Sequence, residues 1–415
     1  MTLDKRVAIV GLGYVGLPLA EAFVNAGCDV VGYDVDRVKV EMLESGKCPL
    51  KHFGDERLRR MIDTRRFYAT TTPADLAMAD AILICVPTPL ADGEPDLSFI
   101  QAAALTVGRH LRRGQLVVLE SSTYPGTTRD VLRVILEGFG PVAGTDFLLA
   151  YSPEREDPGN TAHPLTSIPK VIGGFDEASL AAAQELYQLA FAQTVPVASL
   201  EVAEACKLLE NTYRLVNIAL VNELKAALGT LNVDIWDVIA AAKTKPFGFQ
   251  AFYPGPGAGG HCIPVDPVYL TWAAGRASRP VRCPLVERAV AANHNEHSRA
   301  IIAVGHHAIG MKVCVLGLAY KADIDDLRES PGWAIFDCLR RGRYEVTYAD
   351  PHLPAVAGCH SQTLTPEFVA AQDAIVIATA HRAFDYDLLA QHARLIIDTR
   401  NAMAGRACKG KVVKA

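Results

Sequence analysis

Residues 6–16, RVAIVGLGYVG, decide the fold. RVAIV is a strand-length apolar run, and Gly11, Gly13 and Gly16 follow it as G-x-G-x-x-G. The apolar helical segment PLAEAFVNAG comes next, then a second strand, DVVGYD, ending in Asp34. In such a strand–turn–helix unit the first glycine permits the tight turn. The second lets the backbone approach a pyrophosphate, and the third packs helix against strand. The helix N-terminus attracts the anion. Tyr14 and Val15 complete the same turn, so Gly11, Gly13, Tyr14, Val15 and Gly16 form one expected dinucleotide cradle. Asp34 lies about 20 residues further on, where a carboxylate accepts ribose hydroxyls and repels a 2′-phosphate. NAD is therefore favoured over NADP. Arg37 and Lys39 stand near the adenosine side or are solvated helix charges.

Outward from this unit, residues 6–197 alternate between strand and helix, with strands expected at RVAIVG, DVVGYD, DAILICVP, LVVLESS and DFLLAYSP. Continuous apolar strands interleaved with helices indicate a parallel sheet covered on both faces. Near residue 200 the pattern changes. Val202, Ala205, Leu208, Leu209, Thr212, Leu215, Val216, Ala219 and Leu220 recur at helical spacing as far as Gly229. A helix of roughly 30 residues, about 45 Å long, suits a spine between domains or a subunit contact. After Met311 the alternation returns in KVCVLGLAY, YEVTYADP, DAIVIATA and RLIIDTRN, echoing the first half without its glycine fingerprint. The expected class is α/β: two Rossmann-like, doubly wound parallel-sheet domains joined by a long central helix and a helical middle domain. The expected boundaries are 1–197, 198–298 and 299–415.

Half of the 415 residues are hydrophobic, and the formal charge of −5 argues against a nucleic-acid or anionic-membrane binder. The N-terminus lacks the features of a signal peptide, and no apolar run approaches bilayer length. The ten cysteines are scattered with no C-x-x-C pair, which suggests a reducing, cytoplasmic setting.

The stretch from Phe252 to Pro267, FYPGPGAGGHCIPVDP, is the most unusual in the chain. Four glycines in six residues allow close backbone approach to a ligand. Pro264 fits the first turn of a new helix, which would set Cys262 at or beside its N-cap. A helix N-terminus favours the thiolate, so Cys262 has a physical reason to be reactive; the alternative is inert core filler. Asp266, four residues on, would share that side of the turn. No metal is expected, because His261 with Cys262, or His294 with His297, lacks any standard ligand spacing. A thiolate beside a dinucleotide suggests a four-electron oxidation. A bare aldehyde is a poor hydride donor, whereas its thiol adduct can give up hydride and leave a thioester for water to cleave.

The pieces VAIVGLGYVGLPLA, ICVPTP, ESSTYPGTT, YSPEREDPGN, EACKLLENTYRLVNIALVNEL, FYPGPGAGGHCIPVDP and LGLAYKADIDDLRESP together resemble the UDP-glucose/GDP-mannose dehydrogenase family, in order and over nearly the whole chain. That resemblance implies an NAD-binding domain, a central helix that forms a homodimer, and a C-terminal UDP-binding domain. It implies Cys262 as covalent nucleophile and Asp266 as its polar partner. Lys207 and Asn211 would stabilise oxygen charge at C6, Thr123 would position water near the nicotinamide, and Glu154 would assist thioester hydrolysis. Thr88 and Arg328 would touch NAD, with Lys39. Phe252, Tyr253, Gly257 and Lys321, with Glu154, Lys207 and Asn211, would contact the UDP-sugar. Read without the family, Lys207, Lys321 and Arg328 are ordinary charges and Asn211 an interface amide. Family members acting on UDP-glucose usually carry lysine where this chain has Val265. GGHCIPVDP looks more like the N-acetylhexosamine branch, in particular the branch acting on UDP-N-acetylglucosamine, with the galactosamine and mannosamine epimers next. The link HHAIGMKVCVLG is shorter than the family's usual entry into its third domain. The implied reaction oxidises C6 to the uronate for polysaccharide building. UDP-glucose oxidation, a two-electron hydroxyacid dehydrogenase and a non-catalytic nucleotide-sugar sensor are the alternatives. A short-chain epimerase would need Tyr-x-x-x-Lys, and none of the thirteen tyrosines has a lysine four residues on.

Overall fold

The computed structural model describes residues 5–50, 53–156, 164–308 and 310–415. The chain forms two compact units. One comprises Met1–Glu210 with Val268–Val281, and the other Asn211–Pro267 with Arg282–Ala415.

In the first unit, β1 (Arg6–Val10), β2 (Asp29–Tyr33), β3 (Phe67–Thr70) and β4 (Ala81–Ile84) are followed by a small hairpin of β5 (Leu90–Ala91) and β6 (Glu94–Pro95). Then come β7 (Leu116–Leu119), β8 (Leu148–Tyr151), β9 (Lys170–Gly174) and β10 (Thr194–Val197). The main sheet has eight strands in the order β10-β9-β8-β7-β4-β1-β2-β3. Its β3-β2-β1-β4-β7-β8 part is the dinucleotide-binding order, in which the chain reverses direction of travel beside β1. All neighbours pair in parallel except β8 and β9, which are antiparallel. β9 and β10 thus extend a parallel sheet in the opposite sense, and strand direction leaves no mark on a run of apolar residues. Each face buries its own core, with Ile9, Leu17, Phe23 and Val118 on one side and Val10, Ile84, Val117 and Leu149 on the other.

The helix Gly16–Asn25 follows β1 directly and buries Leu17, Leu19, Ala20, Phe23 and Val24. It stops because Gly27 takes φ +89°, and the Gly27 and Cys28 N–H groups close back onto Val24 and Phe23. At its other end a Cβ on Gly16 would fall on the Gly11 carbonyl.

In the second unit, β11 (Lys312–Leu316), β12 (Glu345–Ala349), the short pair β13 (Ala355–Val356) and β14 (Cys359–His360), β15 (Ala374–Ile377), β16 (Leu395–Asp398) and β17 (Lys411–Lys414) occur in that order. Five of them make a parallel sheet, β12-β11-β15-β16-β17, the other common doubly wound order.

The helix Leu200–Thr230 is 31 residues long. Leu208 and Leu215 on it are fully buried, whereas Val202, Leu209, Tyr213, Leu220 and Leu224 are exposed. These exposed apolar residues alternate at intervals of seven and four, the spacing of a helix–helix seam. Among the described residues no helix is long and apolar enough to cross a membrane.

The helix–strand contact at Gly16 has no room for a methyl group, so Gly16→Ala should lower stability by about 1–3 kcal/mol and weaken NAD binding. Urea denaturation and an NAD titration check this, and wild-type values in both would contradict the packing described.

Candidate active site

At the C-terminal end of β1 the backbone turns at Gly11, whose φ of +95° suits glycine and whose N–H bonds the Tyr33 carbonyl at 2.8 Å. A Cβ there would come within 2.6 Å of the Cys85 carbonyl oxygen. Gly13 faces open space, with nothing among the described residues within 4 Å of where its Cβ would lie. Val15, at the N-cap of the helix that starts at Gly16, offers no capping side chain, and Tyr14 and Val15 lie half-exposed at that end. Open room over Gly13 and an uncapped helix N-terminus fit a pyrophosphate. Asp34 is buried: Oδ2 accepts from the Leu12 N–H at 2.8 Å and the Lys39 ammonium at 2.8 Å, and Oδ1 accepts from the Asp36 N–H. Lys39 is therefore a partner of Asp34 rather than a solvated charge. Thr88 is buried beyond β4.

Thr123 is fully buried after β7 and donates to the Thr127 hydroxyl at 2.6 Å. Thr127 opens a π-helical turn, Thr127–Leu132, of the kind found at functional sites. Glu204, on the long helix, fastens that turn by accepting from the Gly126 N–H and from both the N–H and hydroxyl of Thr128 at 2.6–2.8 Å. Burial pushes the Glu204 carboxyl up to about 7, against the pull of these hydrogen bonds. Glu154 follows β8 and is buried; its Oε1 accepts from the Glu156 N–H, and its carbonyl accepts from the Lys207 ammonium. Asp157–Asn160, the end of the YSPEREDPGN stretch, lie outside the described residues.

Asn211, four residues after Lys207 on the same helix, donates to Asp266 Oδ2 at 2.6 Å, and both side chains are buried. The helix that follows Cys262 begins at Asp266, two residues later than Pro264 would place it. Cys262 still closes the turn, because its carbonyl accepts from the Asp266 N–H at 2.8 Å, as an N-cap carbonyl does.

The glycines before Cys262 have a role the sequence did not convey: they let the loop pack against its own unit. A Cβ on Gly257 would lie 3.1 Å from the Asn293 carbonyl, and one on Gly260 would meet the Tyr320 ring at 2.9 Å. The loop is also pinned by hydrogen bonds. Asn222 accepts from the Gly255 N–H, Asn293 binds both backbone groups of Ala258, and the Arg328 carbonyl accepts from Gly260. Phe252 meets Tyr213 edge-on, and Tyr253 stacks on Trp236 at 5.6 Å. Arg328 is held in fork geometry by Asp326, and Lys321 is half-buried in the turn after β11.

Sequence reasoning missed Arg400. Its Nε donates to the Ala378 carbonyl and its guanidinium lies against Gly255. Burial brings it down to about 10 despite nearby Asp398. It follows β16 in a plain Thr-Arg-Asn stretch, so only the folded second unit brings it to the loop. Asp323, His352 and His381 have potential metal-ligand atoms within 4.8 Å of one another. Both ring nitrogens of His381 are engaged, however, Nδ1 by the Asp323 N–H and Nε2 by Asp350. The cluster reads as a hydrogen-bonded network. None of the ten cysteines forms a disulfide among the described residues.

Three consecutive family profiles match the chain. They are the UDP-glucose/GDP-mannose dehydrogenase family NAD binding domain over residues 5–191, its central domain over 201–295 and its UDP binding domain over 314–405. The chain is 35% identical to UDP-N-acetyl-D-mannosamine dehydrogenase of Pyrococcus horikoshii, across 95% of each chain. It is 34% identical to NDP-N-acetyl-D-galactosaminuronic acid dehydrogenase of Ralstonia nicotianae, across 97% of each. A solved UDP-glucose dehydrogenase from Pyrobaculum islandicum superposes with a TM-score of 0.90 at 27% identity, covering 100% of this chain and 98% of that one.

Glu204 generates a pH prediction. Its folded pKa of about 7 exceeds the ordinary 4.5, so its stabilising contribution is fully present below pH 4.5 and is lost as pH rises through about 7. Glu204→Gln should flatten the decline in stability across that window in thermal melts. An unchanged slope would contradict this assignment.

Proposed function

The chain belongs to the UDP-glucose/GDP-mannose dehydrogenase family and is an NAD-dependent nucleotide-sugar dehydrogenase, and from that premise we propose that it oxidises C6 of a UDP-N-acetylhexosamine to the carboxylate through a thioester on Cys262. The observation that carries this reading is the cysteine itself: a half-buried thiol on a pinned glycine loop, one turn ahead of a helix whose first residue, Asp266, is tied to Asn211.

NAD, when bound, supplies the hydride acceptor for both oxidations. Cys262 supplies what the second one requires. Its thiolate adds to the C6 aldehyde and creates a tetrahedral carbon whose hydrogen can leave as hydride. Lys207 and Asn211, one helical turn apart, donate to the oxygen on C6 while it carries negative charge. Asp266 orients the Asn211 amide by accepting one of its hydrogens. Thr123, locked by Thr127, holds the water that ends the cycle, and Glu154 takes a proton from it. On the cofactor, Gly11, Gly13 and Gly16 admit the pyrophosphate, Asp34 the ribose, and Thr88 and Arg328 make further contacts.

The UDP moiety belongs to the second unit, where the half-buried Lys321 and Arg400 are cations suited to phosphate oxygens. Phe252, Tyr253 and Gly257 face the sugar. The relatives named for N-acetylmannosamine and N-acetylgalactosaminuronic acid support an N-acetylated substrate, and they move the mannosamine epimer ahead of glucosamine. The UDP-glucose dehydrogenase with a TM-score of 0.90 keeps UDP-glucose as the second reading. The exposed apolar seam on Leu200–Thr230 fits a homodimer, and ten cysteines without a disulfide among the described residues fit a reducing cytoplasm.

Four UDP-sugars, the N-acetylmannosamine, N-acetylglucosamine, N-acetylgalactosamine and glucose derivatives, discriminate these readings when NADH is counted per sugar consumed. The preferred N-acetylhexosamine should give two NADH. Cys262→Ser should cut uronate formation by at least on the order of a thousandfold. One NADH per sugar, or an unaffected variant, would overturn the thioester.

A further inference from the structure

Behind Glu154 the first unit buries a charge cluster that the mechanism above does not use. Lys170 opens β9 as a buried lysine at the head of an apolar strand, and its Nζ donates to Glu120, directly after β7. A longer contact, 3.4 Å, reaches the Pro153 carbonyl. The Tyr187 hydroxyl, from the helix Glu177–Gln188, donates to the other oxygen of Glu120. The ammonium also lies over the Tyr187 and Phe191 rings at 5.3 and 5.4 Å. Its remaining neighbour is Glu154 Oε2, at 3.6 Å. That oxygen is buried and accepts no hydrogen bond among the described residues.

One cation thus serves two buried carboxylates. Burying three charged groups costs more than an apolar trio of the same volume would, so packing alone gives no reason for them. Cys85, just after β4, also faces the cluster, as does Lys207, whose ammonium donates to the Glu154 carbonyl, and burial, with Glu120 nearby, pushes the Cys85 thiol well up. Burial works against the Lys170 ammonium, but Glu120 and Glu154 outweigh it and hold lysine charged. Glu120 is itself raised by burial, in part offset by Lys170.

We infer that Lys170, anchored by Glu120 and Tyr187, is a positioning residue that keeps Glu154 an oriented carboxylate able to take a proton from the hydrolytic water. This inference rests on the assignment of thioester hydrolysis to Glu154. In that step the water oxygen bonds to the acyl carbon while one water proton passes to Glu154. The C–S bond then breaks with its electron pair on Sγ, the second proton leaves with the carboxyl group, and Glu154 returns its proton to solvent. Without the cation, Glu120 and Glu154 are two buried carboxylates with no charge between them, and one proton held by the pair disables the base.

The test is pre-steady-state kinetics on the full chain with NAD and the preferred UDP-sugar, with quenched samples weighed by intact mass spectrometry. Lys170→Met should give a burst of two NADH per site, then turnover slowed by roughly tenfold or more, within the range of general-base catalysis. The sugar KM should fall together with kcat, leaving kcat/KM little changed, acyl-Cys262 should accumulate, and the acid limb of the kcat profile should move to higher pH. Lys170→Arg, which keeps the charge, should recover much of the hydrolysis rate. If Lys170→Met folds poorly, Lys170→Met with Glu120→Gln removes the Lys170–Glu120 ion pair but leaves Glu154 buried without its cation, where burial favours the protonated acid, so it should still stall at the acyl-enzyme. Hydrolysis at the wild-type rate in either methionine variant would overturn the inference. So would a parallel loss of kcat and melting temperature with no acyl-enzyme. If wild-type enzyme never forms an acyl adduct and Cys262→Ser still yields two NADH, the thioester reading itself falls, independently of Lys170.

Discussion

A buried backbone turn at the end of a parallel strand must find an acceptor for its N–H groups, and both units meet that demand with a carboxylate from the next strand over. In the first unit Asp34, following β2, accepts from Leu12. In the second, Asp350, following β12, accepts from both Leu318 and Ala319. The glycines that begin the two turns have φ of +95° and +78° and bond the carbonyls of Tyr33 and Ala349 in the same way. The difference lies in what else each carboxylate holds. Asp350 also accepts from the His352 and Leu353 N–H groups and meets His381; despite burial, His381 and the His352 and Ala319 N–H groups hold its carboxyl below the usual range. Such a saturated group has little left for a ribose. Asp34 stands beside Gly13 and its open space, whereas the second turn has Ala319 there. One geometry thus gives an open turn in one sheet, the proposed dinucleotide cradle, and a closed structural turn in the other.

Most of the expected strands were legible as apolar runs, and β2 and β12, which carry glycine or polar residues, by their place in the strand–helix alternation; the five expected before residue 198 and the four after Met311 correspond to β1, β2, β4, β7, β8 and β11, β12, β15, β16. Strands β3, β9, β10 and β17 were not expected. KVIGG, TVPV and KVVK each set only two aliphatic residues among Lys, Thr, Pro or Gly, FYAT has none beyond Ala69, and all four take strand form beside neighbouring strands. The antiparallel entry of β9 was equally hidden.

Candidate site residues divide in the same way. Cys262 and Asp266 could be read together because four residues of chain set their relation, and the same holds for Lys207 and Asn211. Glu204, Lys170 and Arg400 could not. Glu204 reaches Thr128 across 76 residues, Lys170 reaches Glu120 across 50, and no local pattern records either pairing. A lysine opening a buried strand was the one available signal, and in isolation it resembles a strand-end charge that reaches solvent.

The central claim is that C6 loses both of its hydrogens as hydride on a single enzyme, with Cys262 carrying carbon between the two events. The direct measurement uses UDP-N-acetylmannosamine carrying two deuterium atoms at C6, with mass analysis of both nicotinamide and sugar after turnover. The account predicts two equivalents of singly deuterated NADH and a C6 carboxylate free of deuterium. A product that keeps one deuterium at C6, with one equivalent of labelled NADH, would contradict it.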